Sequence, residues 1–463
     1  METAENKDVK EKEREPEFAA FVGIDWADRE HAWSMELAGH KERRRGKVEN
    51  TPEAIASWAV ELAACVGVGG VIAVALEQAR GALLYALSAY GHFVLYPIHP
   101  TTSARYRAAL RPSGAKDDPA DADLLLDLLV RHRDQLRVWS PDSAEIRKLQ
   151  TLVEKRRQLV DERTAQTNRI RDSLKLYFPQ VLGWFDRMDL PIVAAFLDRW
   201  PTLEQAQGAG QEELRKFFHR HHCRSPKAIA KRLAALGRAC PLTRDAAVVE
   251  PARLMVSVSL AVVAVLREGL GRVEAEIEQG TAAHSDYAIF ASFPGAGPAL
   301  APRLLAAFGS RRERFASASE VLSFSGIAPV VSRSGQTEWI HFRWACPKFL
   351  RQTFHEFAAH SIPHCDWAAA FYHLQRDRGK DHHAAVRSLA FKWIRILFRC
   401  WQARQPYSEE RYLAARNQRS APRASAAAPT APLPSVPAPA CGRAVDSELK
   451  HIGEVLKNLL AGA

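Results

Sequence analysis

The chain is 463 residues long and 47% hydrophobic, enough for two or three domains with cores of their own. Its 64 Lys and Arg outnumber 53 Asp and Glu for a formal charge of +11, which favours a polyanionic partner, nucleic acid before membrane. Seven scattered cysteines form no CxxC pair, which argues against a disulfide framework and a structural zinc knuckle.

The opening METAENKDVKEKEREPE lacks the apolar segment of a secretory signal, so residues 1–17 read as a disordered leader and the protein as cytoplasmic. From Phe18 the run FAAFVGIDW is apolar up to a single carboxylate, Asp25, the pattern of a buried strand whose end meets water or metal. His31 to Leu37 predicts a second strand, KERRRGK a basic turn, and a third short strand follows it. Thr51-Pro52-Glu53 opens a helix to about Cys65, with Thr51 as N-cap and Pro52 in the first turn. Gly69 to Leu76 is a continuous apolar strand ending at Glu77, followed by a helix over Gly81 to Tyr90 and a strand over His92 to Pro97. Strands alternating with helices predict a mixed α/β sheet covered on both faces within residues 18–140. In KDDPADADLLLDLLVRH, Asp118 stands as N-cap before Pro119, and Asp118 and Asp121, three apart, share one side of the helix start. Leu124, Leu125, Leu128 and Leu129 turn that helix toward the sheet. Capping accounts for one or two acids at a helix start, but not for a second carboxylate that ends an apolar strand at Glu77.

From Ser143 to Phe178 apolar residues at helical spacing in a charged background predict a long helix (141–180) with a coiled-coil-like seam, the seam interrupted by polar Thr164, Thr167 and Asn168. Its seam suits a solvated connector or a dimer contact, and Arg156, Arg157, Arg163, Arg169 and Arg171 are free to face phosphates. A helical insertion follows over 181–285, with a basic run KFFHRHHCRSPKAIAKR and a last long helix over Leu254 to Gln279. Leu254 to Leu266 is too short and serine-broken to span a bilayer, so no membrane partner is expected. His219, His221, His222 and Cys223 point apart on a helix and read as a basic solvated face rather than a metal site. In SFPGAGPALAPRLLAAFG the glycine turn resembles a helix-hairpin-helix, whose backbone N–H groups at Gly295 and Gly297 meet a DNA phosphate. VVSRSGQTEWIHFRW predicts a pair of strands joined at Ser334-Gly335, and helices follow over Cys346 to His360 and Ala384 to Trp401, in a mostly helical domain over 286–405. Residues 406–445 read as a disordered Pro/Ala-rich linker and 446–463 as a short tail helix.

Asp25, Glu77, Asp118 and Asp121 place four carboxylates at strand and helix ends, hard oxygen donors suited to Mg²⁺. A pair of such ions about 3.5–4 Å apart clamps the attacking and leaving oxygens of a phosphoryl transfer. GIDWA, ALEQARG and KDDPADAD resemble the DEDD motifs of the bacterial IS one-ten insertion-sequence transposases, and FPGAGPALAPRLLAAFG, FSGIAPVVSRSG and KFLRQTFHEFA are similar to the second block of that family. The likeness runs in order through most of residues 18–400, and Asp118 and Asp121 match its Asp-x-x-Asp spacing where Asp123 is the rival. The resemblance implies an RNase H-like (RuvC-like) nuclease domain, a coiled coil and a C-terminal transposase domain. It puts Mg²⁺ on Asp25, Glu77, Asp118 and Asp121 and the nucleophile on Ser334, with Ser332 and Ser325 as lesser rivals. It also implies a homo-oligomer, dimer to tetramer, with composite sites, acting on element and target DNA under a structured guide RNA.

A serine hydroxyl needs a base or metal to become a nucleophile, and Arg333, Arg343 and Arg351 are candidates to neutralise the transferring phosphoryl group. One departure from the family stands at Arg343-Trp344-Ala345-Cys346-Pro347-Lys348, where many members carry Lys-x-Gly; it touches the local phosphate contacts more than the reaction. A hydrolytic, junction-resolving nuclease in which Ser334 is structural is the alternative, and a non-catalytic nucleic-acid-binding protein a third reading. No P-loop supports an actin-like ATPase.

Overall fold

The computed structural model describes residues 17–77, 81–110, 118–335 and 337–420. The leader and the tail helix expected from sequence lie outside them, apart from Glu17. The chain divides into a unit over residues 1–407 and another over 408–463.

The first unit begins with β1 (Phe18–Asp25), β2 (Glu30–Leu37), β3 (Arg43–Glu49), α1 (Pro52–Val66), β4 (Val71–Leu76), α2 (Ala82–Leu87), β5 (Phe93–Pro97), α3 (Pro100–Leu110) and α4 (Asp118–His132). A five-stranded mixed sheet has the order β3-β2-β1-β4-β5. The first three strands run antiparallel in a meander, whereas β4 and β5 run parallel to β1 because helical crossovers lead into them. Period-two alternation sorts the side chains. Ala20, Val22, Ile24, Ile72, Val74 and Leu76 face Ile55, Trp58 and Leu62 of α1 and Leu83 and Leu84 of α2. Phe18, Ala73, Ala75 and Tyr96 face Leu124, Leu125, Leu128 and Leu129 of α4. Thr51 caps α1 by accepting the Ala54 N–H at 3.2 Å, as its sequence predicts.

A 34-residue α5 (Ala144–Tyr177) leads into α6 (Val181–Trp184), α7 (Pro191–Arg199), α8 (Leu203–Gly208), α9 (Gln211–Arg220) and α10 (Pro226–Arg238), then a 37-residue α11 (Ala246–Ala282). The helix is continuous as expected, and its buried seam is interrupted between Val153 and Ile170, where the Thr164 and Thr167 hydroxyls donate to the Val160 and Arg163 carbonyls at 2.8 and 2.7 Å. The α5 seam, open to a dimer reading in sequence, packs on α11 of the same chain, and Arg156–Glu274 and Lys148–Glu276 ion pairs lace the two helices together. The long helix expected over Leu254 to Gln279 is α11, which begins earlier, at Ala246, and is the one element among the described residues long and apolar enough by length and composition to cross a membrane. Charged residues beyond its apolar stretch pair with α5. The far end of α5 and α11 shares a core with α6 to α10 in which Phe178, Trp184, Phe196, Trp200, Phe217 and Phe218 pack together.

The rest of the first unit comprises α12 (Tyr287–Ala291), α13 (Gly297–Phe308), α14 (Ala318–Phe324), a hairpin of β6 (Val330–Ser334) and β7 (Thr337–His341), α15 (Lys348–Ser361), α16 (Asp366–Asp377) and α17 (His382–Ala403). Trp393 and Trp401 are fully buried, and each indole N–H is satisfied, by Ser361 Oγ at 2.8 Å and the Gly309 carbonyl at 2.9 Å. In the second unit α18 (Glu409–Ser420) is helical where a linker was expected. Its acidic first turn and the YLAAR run favour helix before the Pro/Ala-rich composition begins.

Candidate functional site

Register brings two of the expected carboxylates together. Ile24 pairs with Leu76 across the parallel β1–β4 ladder, so Asp25 and Glu77, the next residues, stand side by side at the strand ends. Gly23 and Asp25 share one face of β1, and Ala73 and Ala75 continue to Glu77 on the same face of β4, which is the α4 side. The run of α4 over this face is marked by two contacts. The Arg133 guanidinium just beyond α4 lies 5.0 Å over the Phe18 ring at the start of β1, and a Cβ on Gly23 would come within 2.2 Å of the Ala122 carbonyl. The helix therefore runs against β1, and its first turn, with Asp118 and Asp121, arrives at the end of the sheet that carries Asp25 and Glu77.

Asp121 is 4% exposed, and both its oxygens are taken by Arg107 of α3, Nε to Oδ1 and Nη2 to Oδ2, each at 2.8 Å. No local sequence pattern links Arg107 to Asp121, fourteen residues apart, so this bidentate pair arises only from the packing of α3 against α4. Asp118 begins α4, and its side chain lies outside what is described. The rival Asp123 is turned the other way, to Arg45 at 3.0 Å and Arg43 at 4.0 Å on β3. Burial by itself would raise its carboxyl, but the hydrogen bond from Arg45 and the charges of Arg45 and Arg43 outweigh it and hold Asp123 below the usual carboxylate range.

The hard oxygens of Asp25 and Glu77 suit a divalent cation, while each oxygen of Asp121 already accepts from Arg107. Among the described residues no group of three His, Cys, Asp or Glu is arranged to hold a metal.

Ser334 belongs to a separate sheet, the β6–β7 hairpin, whose strands pair only with each other. It is the last residue of β6, exposed, opposite Thr337 and before Gly335, which turns the chain at a φ of 58°. Gln336 is outside the described residues. Cross-strand partners share a face, so Ser334, Ser332, Trp339 and His341 lie on one side of the hairpin, where Trp339 (66% exposed) stacks on His341 with ring centroids 4.8 Å apart. Ser325 is fully buried and its hydroxyl donates to the Leu322 carbonyl at 3.3 Å, while Ser332 shares the exposed face with Ser334. The structure does not join the hairpin to the carboxylates in one sheet.

The expected phosphate contacts divide. Gly295 is left-handed at φ 77°, and a Cβ there would meet the His360 carbonyl at 2.5 Å, so this glycine serves packing on the end of α15. Gly297, at φ 53°, starts α13 and faces open space. Arg333 is exposed and paired with Glu338 at 2.8 Å. Arg343 donates to the Ala328 carbonyl at 3.4 Å, and Arg351 donates to the Arg343 carbonyl at 3.3 Å and lies 4.5 Å over the Phe342 ring, so both brace the chain after the hairpin.

Compared with known proteins, residues 22–179 match the DEDD transposase profile of IS110 type, and residues 287–373 match a profile described as transposase of the IS116/IS110/IS902 family. A Streptomyces coelicolor protein named for the transposase of the IS117 mini-circle is 28% identical over 413 residues, covering 86% of this chain and 98% of its own. The 43.6 kDa protein of insertion element IS110 from the same organism is 29% identical over 65% of this chain and 74% of its own. The 42 kDa protein of insertion element IS900 from Mycobacterium paratuberculosis is 26% identical over 71% of this chain and 82% of its own.

Proposed function

The chain belongs to the IS110 family of transposases, enzymes of DNA transposition, and from that premise we propose that it cuts and rejoins DNA through a covalent link to Ser334. The observation that carries the reading is the juxtaposition of Asp25 and Glu77 at neighbouring strand ends beneath the first turn of α4. The strand order, with β1 between an antiparallel meander and a parallel β4, supports an RNase H-like (RuvC-like) domain. In this reading Asp25, Glu77, Asp118 and Asp121 would hold divalent metal, Mg²⁺ by the hardness of its donors, with Arg107 beside Asp121. The bound metal supplies Lewis-acid neutralisation of phosphate charge.

The chain's own residues do the rest. Ser334 Oγ loses its proton as it attacks phosphorus, the bond from phosphorus to the departing strand breaks, and the departing oxygen takes up a proton. A hydroxyl of a new partner strand then attacks the same phosphorus and Ser334 leaves, so strands exchange without consuming water. Arg333, beside Ser334, neutralises the phosphoryl group once it parts from Glu338. Because Ser334 and the acids stand on separate sheets, the reading includes a homo-oligomer in which one protomer's hairpin serves another's carboxylates. A structured guide RNA and a cytoplasmic setting complete it.

The test mixes the protein with its element's flanking RNA, donor DNA, target DNA and Mg²⁺, and looks for a denaturant-stable protein–DNA adduct. An adduct lost in both Ser334→Ala and Asp25→Ala is the expected result. The separation of hairpin and acids equally favours a second reading, a hydrolytic nuclease, and cleavage that survives Ser334→Ala without an adduct would establish it instead.

A further inference from the structure

Between Arg215 and Arg238 the chain carries eight Lys and Arg, three His and no carboxylate, in a region that neither family profile covers. The segment is α9, a turn and α10. Its apolar side is used by the fold: Leu214, Phe217, Phe218, Ile229, Leu233 and Leu236 are buried in the core at the far end of α5 and α11. One cation goes inward with them. Arg232 donates to the Trp184 carbonyl at 3.0 Å and to Cys223 Sγ at 2.9 Å, and lies over the Phe185 and Phe218 rings.

The other cations stay outside. Lys216 reaches Glu212 at 3.7 Å, but Arg215, Arg220, Arg224, Lys227, Lys231 and Arg238 are exposed and have no acidic partner among the described residues. A face that serves solubility alone mixes its signs. Elsewhere on this surface that is the rule, as in Arg187–Asp189 and Arg272–Glu268. Here it fails from Arg215 to the end of α10, past the two acids, Glu212 and Glu213, in the first turn of α9.

The turn between them is built, not loose. The His222 N–H donates to the His219 carbonyl at 3.1 Å and the Cys223 N–H to the Phe218 carbonyl at 2.9 Å, a helix C-terminal motif that usually takes glycine and here holds His222 at φ 60°. Arg220 and Arg224 therefore flank an ordered corner. The solvent side of α10 runs Lys227, Ala230, Lys231, Ala234, Gly237, Arg238, so cations alternate with the smallest side chains and nothing bulky bars a close approach.

We propose that this face docks on duplex DNA, with Lys227, Lys231 and Arg238 along α10 and Arg220 and Arg224 at the turn contacting phosphates. The B-form major groove, about 12 Å wide, admits a helix of this slim profile, whereas the deep, narrow major groove of A-form RNA does not. Phosphate contacts fix position without reading base edges, so the docking proposed here is independent of sequence. The inference needs neither Ser334 nor the acidic cluster to act as proposed above.

The full-length protein and a Lys227→Gln/Lys231→Gln variant would be titrated onto a fluorescent duplex of arbitrary sequence in chelator, so that no cutting intervenes, from about 50 to 200 mM salt. Losing two phosphate contacts lowers the slope of log affinity against log salt by about 1.8 and weakens binding on the order of tenfold or more. An unchanged slope overturns the proposal, as does a loss confined to a hairpin RNA titrated in parallel. Both lysines are exposed, so the circular dichroism spectrum and unfolding midpoint should not move; if they do, Arg220→Gln/Arg224→Gln is held to the same criterion.

Discussion

At Gly23 the absence of a single methyl group sets how closely α4 lies on the sheet. A Cβ there would stand 2.2 Å from the Ala122 carbonyl and 2.5 Å from the Leu126 nitrogen, backbone atoms that cannot swing aside. Gly23→Ala is expected to lift α4 and cost about 1–3 kcal/mol of stability, read by chemical denaturation. Because α4 brings Asp118 and Asp121 to the strand ends, the same variant should also lower DNA cleavage by more than its unfolded fraction explains. A loss of activity matching the unfolded fraction would mean that the helix position does not matter to the chemistry. Gly23 was visible in sequence only as part of an apolar run, since the need for glycine arises from a helix about a hundred residues downstream.

Among the helices, one half-buried charge ties three elements together. Glu356 of α15 accepts from Arg303 of α13 and from Arg157 of α5, the latter at 2.9 Å, with Gln352 adding a bond at 2.8 Å. Burial alone would raise the Glu356 carboxyl, but Arg303 prevails and holds it below the ordinary range. Arg303 itself is 5% exposed and donates from Nε to Thr353 Oγ1 at 3.1 Å. Glu356→Gln leaves that guanidinium without its counter-charge, and a loss of about 3 kcal/mol is expected in denaturant unfolding. Adding Arg303→Met should recover part of it, because replacing both charges removes the desolvation cost that breaking the pair exposes. A double variant no better than the single would place the loss in packing. The periodicity of α5 was plain in sequence, whereas its partner was not: a seam shows which face is apolar and not what covers it.

Across the whole molecule, acid should weaken the fold. His355 is drawn below the ordinary imidazole value of 6.5 by burial and by the nearby His383, and His31 by burial against an opposing bond to Asn50. A folded value beneath the unfolded one means that the unfolded chain takes up the proton more readily. This contribution is therefore whole above pH 6.5 and is lost as the pH falls below it. The thermal midpoint should drop between about pH 7.5 and 5.5, and His355→Gln should shrink the drop; an equal drop in the variant would put its source elsewhere. Much of the architecture could be read before folding: strands ending in Asp25 and Glu77, the helix opened by Asp118, the long helices and the Ser334 hairpin all follow from alternation, helical spacing and turn residues. These patterns are legible because each depends on neighbours within a turn or two of chain. Pairing is another matter. That Asp25 stands beside Glu77, that Arg107 grips Asp121, that α5 closes on α11 and that α9 and α10 leave their cations outward except for Arg232 were decided in tertiary structure. There the strand that lies beside β1 and the helix that covers α5 are chosen by how all the apolar surface can be buried at once, a condition no local stretch of sequence contains.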